Sequence, residues 1–377
     1  MPAGALEGLV VADFARVLAG PLCSQNLADL GADVIKVERA GSGDDTRQWG
    51  PPFVEEGSTY FLGLNRGKRS IELDLKDEGD LALARELCRR ADVVLESFRP
   101  GTMDRLGLGY REVSAANPAV VYTSISAFGS GENVQDLPGY DLLVEAMSGF
   151  MSVTGEPDGR AMRPGTAIAD LVCGLYATIG TLAALSERRE SGRGQHVEVT
   201  LMASAFVMLL NLGSSFLNTG EVPTRTGNHH PSIAPYQTYA TGDGDLAVAV
   251  GNDAIFGRFC EVIGQPGLPA DERFADNAGR VRHRDELNAV IGPALEQQGA
   301  AKWAAAMTAA GVPAGPVNDV RTAYEFAAGL GLDPVVELDG VRSTRPPVSM
   351  DRTPVNPHGR PPRLGEHSDE IRAWLSS

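Results

Sequence analysis

The sequence predicts an α/β protein built on a doubly wound parallel sheet, with a second, smaller α/β domain. Three observations carry that prediction. Short apolar runs alternate with helical periodicity through the first two hundred residues, the pattern of a parallel sheet covered on both faces. The chain has 377 residues, enough for more than one domain. Its apolar fraction of 43 % and charged fraction of 22 % are those of a globular protein.

Residues 9–14 (LVVADF) form the first strand, and 20–31 a helix carrying Leu22, Leu27 and Leu30. Residues 33–38 (DVIKVE) and 70–75 (SIELDL) are the next strands. Residues 77–91 make an amphipathic helix, because Leu83/Leu87 and Ala84/Cys88 fall four apart on one face. Strands at 92–96 and 120–125 follow. A strong helix runs over 171–188. Leu171, Leu175, Ile179, Leu182 and Leu185 form its apolar stripe, with Gly174, Ala177, Thr181 and Ala184 as a small-residue ridge beside it, suited to close helix packing. Residues 196–200 (HVEVT) are a strand. Residues 199–220 carry no charge and match a membrane span in length. Thr200, Ser204, Asn211, Ser214, Ser215, Asn218 and Thr219 interrupt them, which favours one helix buried in a large core or interface. At 220–235 the composition turns to Gly, Pro, Asn and His, which marks a connector. Beyond it lie a strand at 246–250 and helices near 254–263, 284–297 and 300–310. Residues 342–363, rich in Pro and Arg, are expected to be irregular.

Thirty-three Lys and Arg against 49 Asp and Glu give a net charge of −16. That excludes broad electrostatic binding to nucleic acid or to an anionic membrane, and neither is expected as a partner. A polyanionic small ligand needs a local concentration of cations. Lys36, Lys68, Lys76 and Lys302 are the lysines, so arginine supplies the other cations, and its fork suits phosphate and carboxylate. Cys23, Cys88, Cys173 and Cys260 lie far apart without a C-x-x-C pair. We expect reduced, mostly buried thiols in a cytoplasmic protein, and no secretion signal is visible at the N-terminus.

Common catalytic motifs are absent. There is no H-E-x-x-H, no two histidines stand at i,i+4, and neither G-x-S-x-G nor G-x-G-x-x-G occurs in the expected context. No metal is expected. The adjacent His229 and His230 point differently along the connector and lack nearby partners, which argues against a metal site there. What recurs is a cation beside a strand end. Lys36 and Arg39 flank the end of the second strand, Arg66, Lys68 and Arg69 precede the third, and Lys76 ends it. Ser97, Phe98, Arg99 and Arg105 follow the fourth. Loops after parallel strands gather along one edge, where a phosphate-bearing ligand can lie. Taken singly, each of these cations is better explained as solvated surface.

Asp170 stands immediately before a helix, where an Asp ordinarily caps the free amides. The same amides and the helix dipole can keep a carboxylate ionised in a dry site, and such a carboxylate can attack an activated carbonyl. Asp141, in Gly139-Tyr140-Asp141, reads most simply as the cap of a helix over 142–148.

Several long segments resemble family III CoA-transferases, the group of formyl-CoA transferase, carnitine-CoA transferase and 2-methylacyl-CoA racemase. They are AGPLCSQNLADLGADVIKVER (19–39), NRGKRSIELDLK (65–76), FRPGTMDRLG (98–107), GRGQHVE (192–198) and GEH (365–367). The resemblance spans essentially the whole chain. It implies a catalytic aspartate at Asp170. It also implies contacts to coenzyme A, as acyl-CoA co-substrate, from Val17, Leu18, Arg39, Leu73, Lys76, Ser97, Phe98, Arg99, Arg105, Tyr140 and Asp141. The implied fold is an interlocked, ring-shaped homodimer. Its large Rossmann-like CoA-binding domain would use residues 1–219 and 335–377, with a small domain at 220–334. The implied activity is transfer of CoA from an acyl-CoA to a small carboxylic acid through an aspartyl-acyl anhydride and an aspartyl-CoA thioester. Two alternatives stay open: a 2-methylacyl-CoA racemase and a non-catalytic acyl-CoA-binding homologue. Leu18 replaces the glutamine of formyl-CoA transferase, which argues against formate–oxalate exchange. Tyr140 replaces the histidine of the racemases, and a tyrosine is a poor proton base near neutral pH.

Overall fold

A computed structural model describes residues 4–134 and 137–377. The chain divides into two compact units. The first comprises Met1–Phe150, Arg163–Glu221 and Asp333–Ser377, and the second Met151–Met162 with Val222–Leu332. Both chain ends thus belong to the first unit. The segment Met151–Met162, expected in the large domain, clusters with the second unit instead.

The first unit is organised by strands β1 (Val10–Asp13), β2 (Asp33–Arg39), β3 (Lys68–Leu73), β4 (Val93–Glu96), β5 (Val121–Ser126) and β6 (His196–Thr200). They form one parallel sheet in the order β3-β2-β1-β4-β5-β6. The expected doubly wound sheet is therefore present. Consecutive apolar residues feed opposite cores: Val11, Val34, Val93 and Val121 one face, Ala12, Ile35, Val94 and Tyr122 the other. Burial on both faces is why these strands read as unbroken apolar runs. The order reverses between β1 and β4, so the loops after these two strands diverge and leave a crevice at their carboxyl ends.

Helices α1 (Ala19–Asp29), α2 (Glu78–Arg90), α3 (Asp141–Met147) and α4 (Ile168–Ser191) belong to the same unit. Asp77 starts α2, its Oδ1 accepting from Gly79 N and Asp80 N at 2.9 and 3.0 Å. In α4 the small-residue ridge is the buried face: Cys173, Gly174, Ala177, Thr181 and Ala184 pack inward. The leucine stripe is only partly used, with Leu175 43 % and Ile179 59 % exposed. Close approach to α1 explains this choice. A Cβ on Gly174 would lie 2.6 Å from Ala19 O. Gly174→Ala is therefore expected to destabilise the fold by about 1–3 kcal/mol in urea unfolding, although alanine favours a helix interior. A more stable variant would show that the two helices can part.

The uncharged stretch does not form one buried helix. Its first residues complete β6, and Thr200 Oγ1 then accepts from Ala203 N at 3.1 Å to start a new helix. Helices α5 (Leu201–Met208) and α6 (Leu210–Thr219) are bent by 83° at the break between them. Phe206 is 54 %, Leu210 75 % and Leu217 81 % exposed. Absence of charge shows that a segment avoids water, but not which surface covers it. By length and composition alone α4 also matches a membrane span, as core helices often do.

The second unit carries the antiparallel strands β7 (Tyr236–Ala240), β8 (Asp245–Ala249) and β9 (Ala314–Pro316), with β8 central. Helices α7 (Asp253–Val262), α8 (Arg284–Leu295) and α9 (Ala300–Ala309) fall close to the expected places. Phe256, Phe259, Leu287, Ile291 and Trp303 supply its core. In the first unit, strands β10 (Val335–Leu338) and β11 (Val341–Thr344) pair as a hairpin, so regular structure enters the start of the segment expected to be irregular.

Candidate active site

The turn after β1 borders the crevice, and side chains hold its backbone in place. Ala15 N donates to Asp13 Oδ1 at 2.9 Å, Arg16 N to Ser97 Oγ at 2.9 Å, and Val17 N to Asp44 Oδ2 at 3.3 Å. Lys36 Nζ donates to Ala15 O and to Asp44 Oδ2, both at 2.9 Å. These bonds hold Val17 at φ +71°, a conformation that a β-branched residue adopts only under constraint.

The expected cations separate into two groups. Lys36 and Lys68 are fully buried, and Lys68 Nζ donates to Asp13 Oδ2 at 3.2 Å and Asn65 Oδ1 at 2.8 Å. Burial pulls the Lys68 ammonium down to about 8 against the attraction of Asp13. Arg66 is locked onto Asp29 by two hydrogen bonds, and Arg69 pairs with Asp33. These four are structural. Arg39, Lys76 and Arg105 instead line a cavity of about 540 Å³ together with Arg16. Arg39 reaches Asp45 only at 3.9 Å, and among the described residues the Arg105 guanidinium donates to Thr102 Oγ1 alone. Leu73 and Phe98 line the same cavity, with the Arg16 guanidinium 4.8 Å above the Phe98 ring. Asp45 pairs only loosely with Arg16 and Arg39, at 3.7 and 3.9 Å. Cations so weakly held beside apolar walls suit a ligand that joins phosphates to a flat apolar group.

A second cavity of about 220 Å³ shares Arg16 and Phe98 with the first. It gathers Val17, Leu18, Ser97, Arg99, Tyr140 and Asp170. Asp170 lies in the first turn of α4 and is not its cap. Asp141 takes that part: its Oδ1 accepts from Ala169 N at 2.9 Å and Asp170 N at 3.1 Å. Asp141 therefore does not cap its own helix, which starts at Tyr140 without a side-chain cap. Local sequence assigned both caps to the nearest helix because it cannot show that α3 and α4 meet end to end. Among the described residues, no donor reaches the Asp170 carboxyl oxygens. Burial, and then the charges of Asp141 and Glu145, push that carboxyl up from 3.8 to about 7. The amides expected to keep Asp170 ionised serve Asp141 instead.

Tyr60, Arg16 and Glu145 escaped sequence reasoning. Burial and then the charge of Asp170 raise the Tyr60 hydroxyl to about 12. Glu145 stands four residues after Asp141 on α3, a spacing that could have flagged it. His230 Nδ1 accepts from Ser232 N, and no cluster of metal-ligating side chains occurs among the described residues.

A doubly wound parallel sheet with open cations at its switch point, beside a bare carboxyl on a helix start, defines an α/β protein equipped for an anionic substrate. The chain belongs to CoA-transferase family III, whose model matches residues 6–368. It is 42 % identical to the succinate–glutarate CoA-transferase of Agrobacterium fabrum, over 99 % of this chain and 96 % of that protein. It is 41 % identical to the acetyl-CoA:oxalate CoA-transferase of Acetobacter aceti, over 98 % and 96 %. Among solved structures, a CAIB/BAIF family protein from Brucella suis superposes with a TM-score of 0.90 at 40 % identity, covering 100 % of both chains. The protein is thus an enzyme, a CoA-transferase.

Proposed function

We propose that Asp170 is the nucleophile of an acyl-CoA:carboxylic acid CoA-transferase that uses short dicarboxylic acids. The observation that carries this reading is the Asp170 carboxyl, bare of donors because Asp141 holds the adjacent amides. An Asp170 oxygen bonds to the donor's thioester carbon as its C–S bond breaks, giving an acyl-aspartyl anhydride and CoA thiolate. The thiolate attacks the Asp170 carbonyl carbon; a C–S bond forms, the anhydride C–O bond breaks, and the donor acid leaves. The acceptor carboxylate runs the two steps backwards and frees Asp170. An anhydride hydrolyses in water, so the cavity must stay dry during turnover. Leu18 and Ala19 border it at the start of α1, whose first amides are the donors available to an oxyanion. Arg39, Lys76, Arg99 and Arg105 would hold the CoA phosphates.

The dicarboxylate preference follows from the succinate, glutarate, oxalate and mesaconate in the relatives' names. We also assign a homodimer, because Leu142, Leu143 and Met147 on α3 and Phe206, Leu210 and Leu217 beyond it expose apolar surface that a second copy would cover. Succinyl-CoA or acetyl-CoA incubated with a panel of acids is expected to give a new acyl-CoA by mass spectrometry only when a dicarboxylic acid is added. Thioester hydrolysis alone, or acid-independent deuterium uptake at C2 of a 2-methylacyl-CoA, would overturn the assignment. A monomer by sedimentation would overturn the dimer.

A further inference from the structure

The side chain of Glu145 is fully buried, and neither of its carboxyl oxygens makes a hydrogen bond of good geometry among the described residues; the Ile168 amide and the Arg163 charge are what favour its ionised form. Taking an ionised carboxylate out of water with so little support is costly, which favours the protonated acid near neutral pH. The groups that face it are known from each packed element. Asp141 lies one turn earlier on α3, Asp170 on the first turn of α4, and Arg163 on the segment entering α4. Tyr60 faces Asp141 and Asp170, and α5 brings no titratable side chain to α3. Asp141 spends Oδ1 on two amides, so its other oxygen remains to accept.

We propose that Glu145 is a positioning residue that stays a neutral acid and donates its proton to Asp141, thereby keeping Asp141 clamped on the amides that carry Asp170. This rests on Asp170 as the reacting group. Burial, followed by the charge of Asp141, raises the Glu145 carboxyl to about 7, which Asp170 also reaches. The charge of Glu145 is one of those that hold the Asp170 proton, so the ionisation of one opposes that of the other. In the working state Glu145 keeps its proton, and Asp170 is free to attack. Once Glu145 also ionises, two negative charges meet over the clamp. Turnover then falls on the alkaline side for a reason unrelated to the nucleophile.

The test is the pH profile of Glu145→Gln, whose amide is a permanent neutral donor. Its turnover at pH 7 should stay within tenfold of the parent, and the alkaline decline should vanish or move up by at least one pH unit. An unmoved alkaline decline, or a larger loss at pH 7 with an unchanged melting temperature, overturns the proposal. Isotope-edited infrared spectra carry the test without activity, should the variant fold poorly. Burial also lifts Glu96 to about 7, so Glu96→Gln labelled with 13C-glutamate is the protein to use. The band of a dry, protonated glutamate at pH 6.5 is expected, and its absence overturns the proposal. Lack of transferase activity in the parent chain would instead overturn the assignment of Asp170.

Discussion

Asp170→Asn is expected to abolish transfer and, at the same time, to make the protein more stable at pH 8. The amide nitrogen is no nucleophile towards a thioester, so turnover should fall on the order of 10⁴-fold or more. The stability effect follows from the raised carboxyl. In the folded state Asp170 titrates at about 7, against 3.8 for an unperturbed Asp. Between these values the folded state binds the proton more tightly than the unfolded state. The contribution of Asp170 to stability is therefore most favourable below about pH 4, declines as the pH rises towards 7, and stays low above it. Asparagine does not ionise and escapes this decline. At pH 8 the variant should exceed the parent by on the order of 1–3 kcal/mol in guanidinium unfolding, and at pH 4 the two should coincide. Equal stability at both pH values would show that Asp170 is not held in a dry, negatively charged site. Parent turnover should rise through pH 7 from the acid side, and hydroxylamine should trap an adduct on Asp170 during it. An unmodified Asp170 in an active preparation would defeat the anhydride route.

Arg39→Glu is expected to weaken CoA binding about 100-fold while leaving the melting temperature nearly unchanged. Arg39 is more than half exposed, and its nearest carboxylate, Asp45, is 3.9 Å away. It contributes little to the fold, because an exposed and distant ion pair is worth at most about 1 kcal/mol. Beside a phosphate, the reversal removes a charge-assisted hydrogen bond and adds a repulsion, together roughly 2–3 kcal/mol. Titration calorimetry with CoA decides the matter. Unchanged affinity would mean that the cations at the crevice are only solvated surface.

Alternating apolar runs and helical periodicity made the parallel sheet legible. All six of its strands fall within a few residues of their expected places, and in the inner ones burial on both faces writes itself into every position. The face of α4 was legible only in part: the small-residue ridge read as suited to close packing, but not that it would be buried in preference to Leu175 and Ile179. Gly174 and Ala177 look less hydrophobic than Leu175 and Ile179, yet the small residues go inward because α1 comes close. The open cations were legible only as a mixture. Nothing local separates Lys36, buried against Asp44, from Arg39 three residues later and exposed at the cavity. Partner carboxylates came from distant segments.

The sequence by itself determined that this is an α/β protein of family III character, that Asp170 stands at a helix start, and that cations follow its strands. These depend on side-chain periodicity and on contiguous motifs, which are properties of neighbours along the chain. Tertiary structure alone decided which groups act together. It brought α3 against the start of α4, so that Asp141 caps a helix 28 residues away and Asp170 is left bare. It also buried Glu145 beside them, one turn beyond Asp141, without a hydrogen bond of good geometry among the described residues. The physical reason is that a carboxyl's protonation and reactivity depend on the donors, charges and water within a few ångströms, and folding assembles those from residues far apart in sequence.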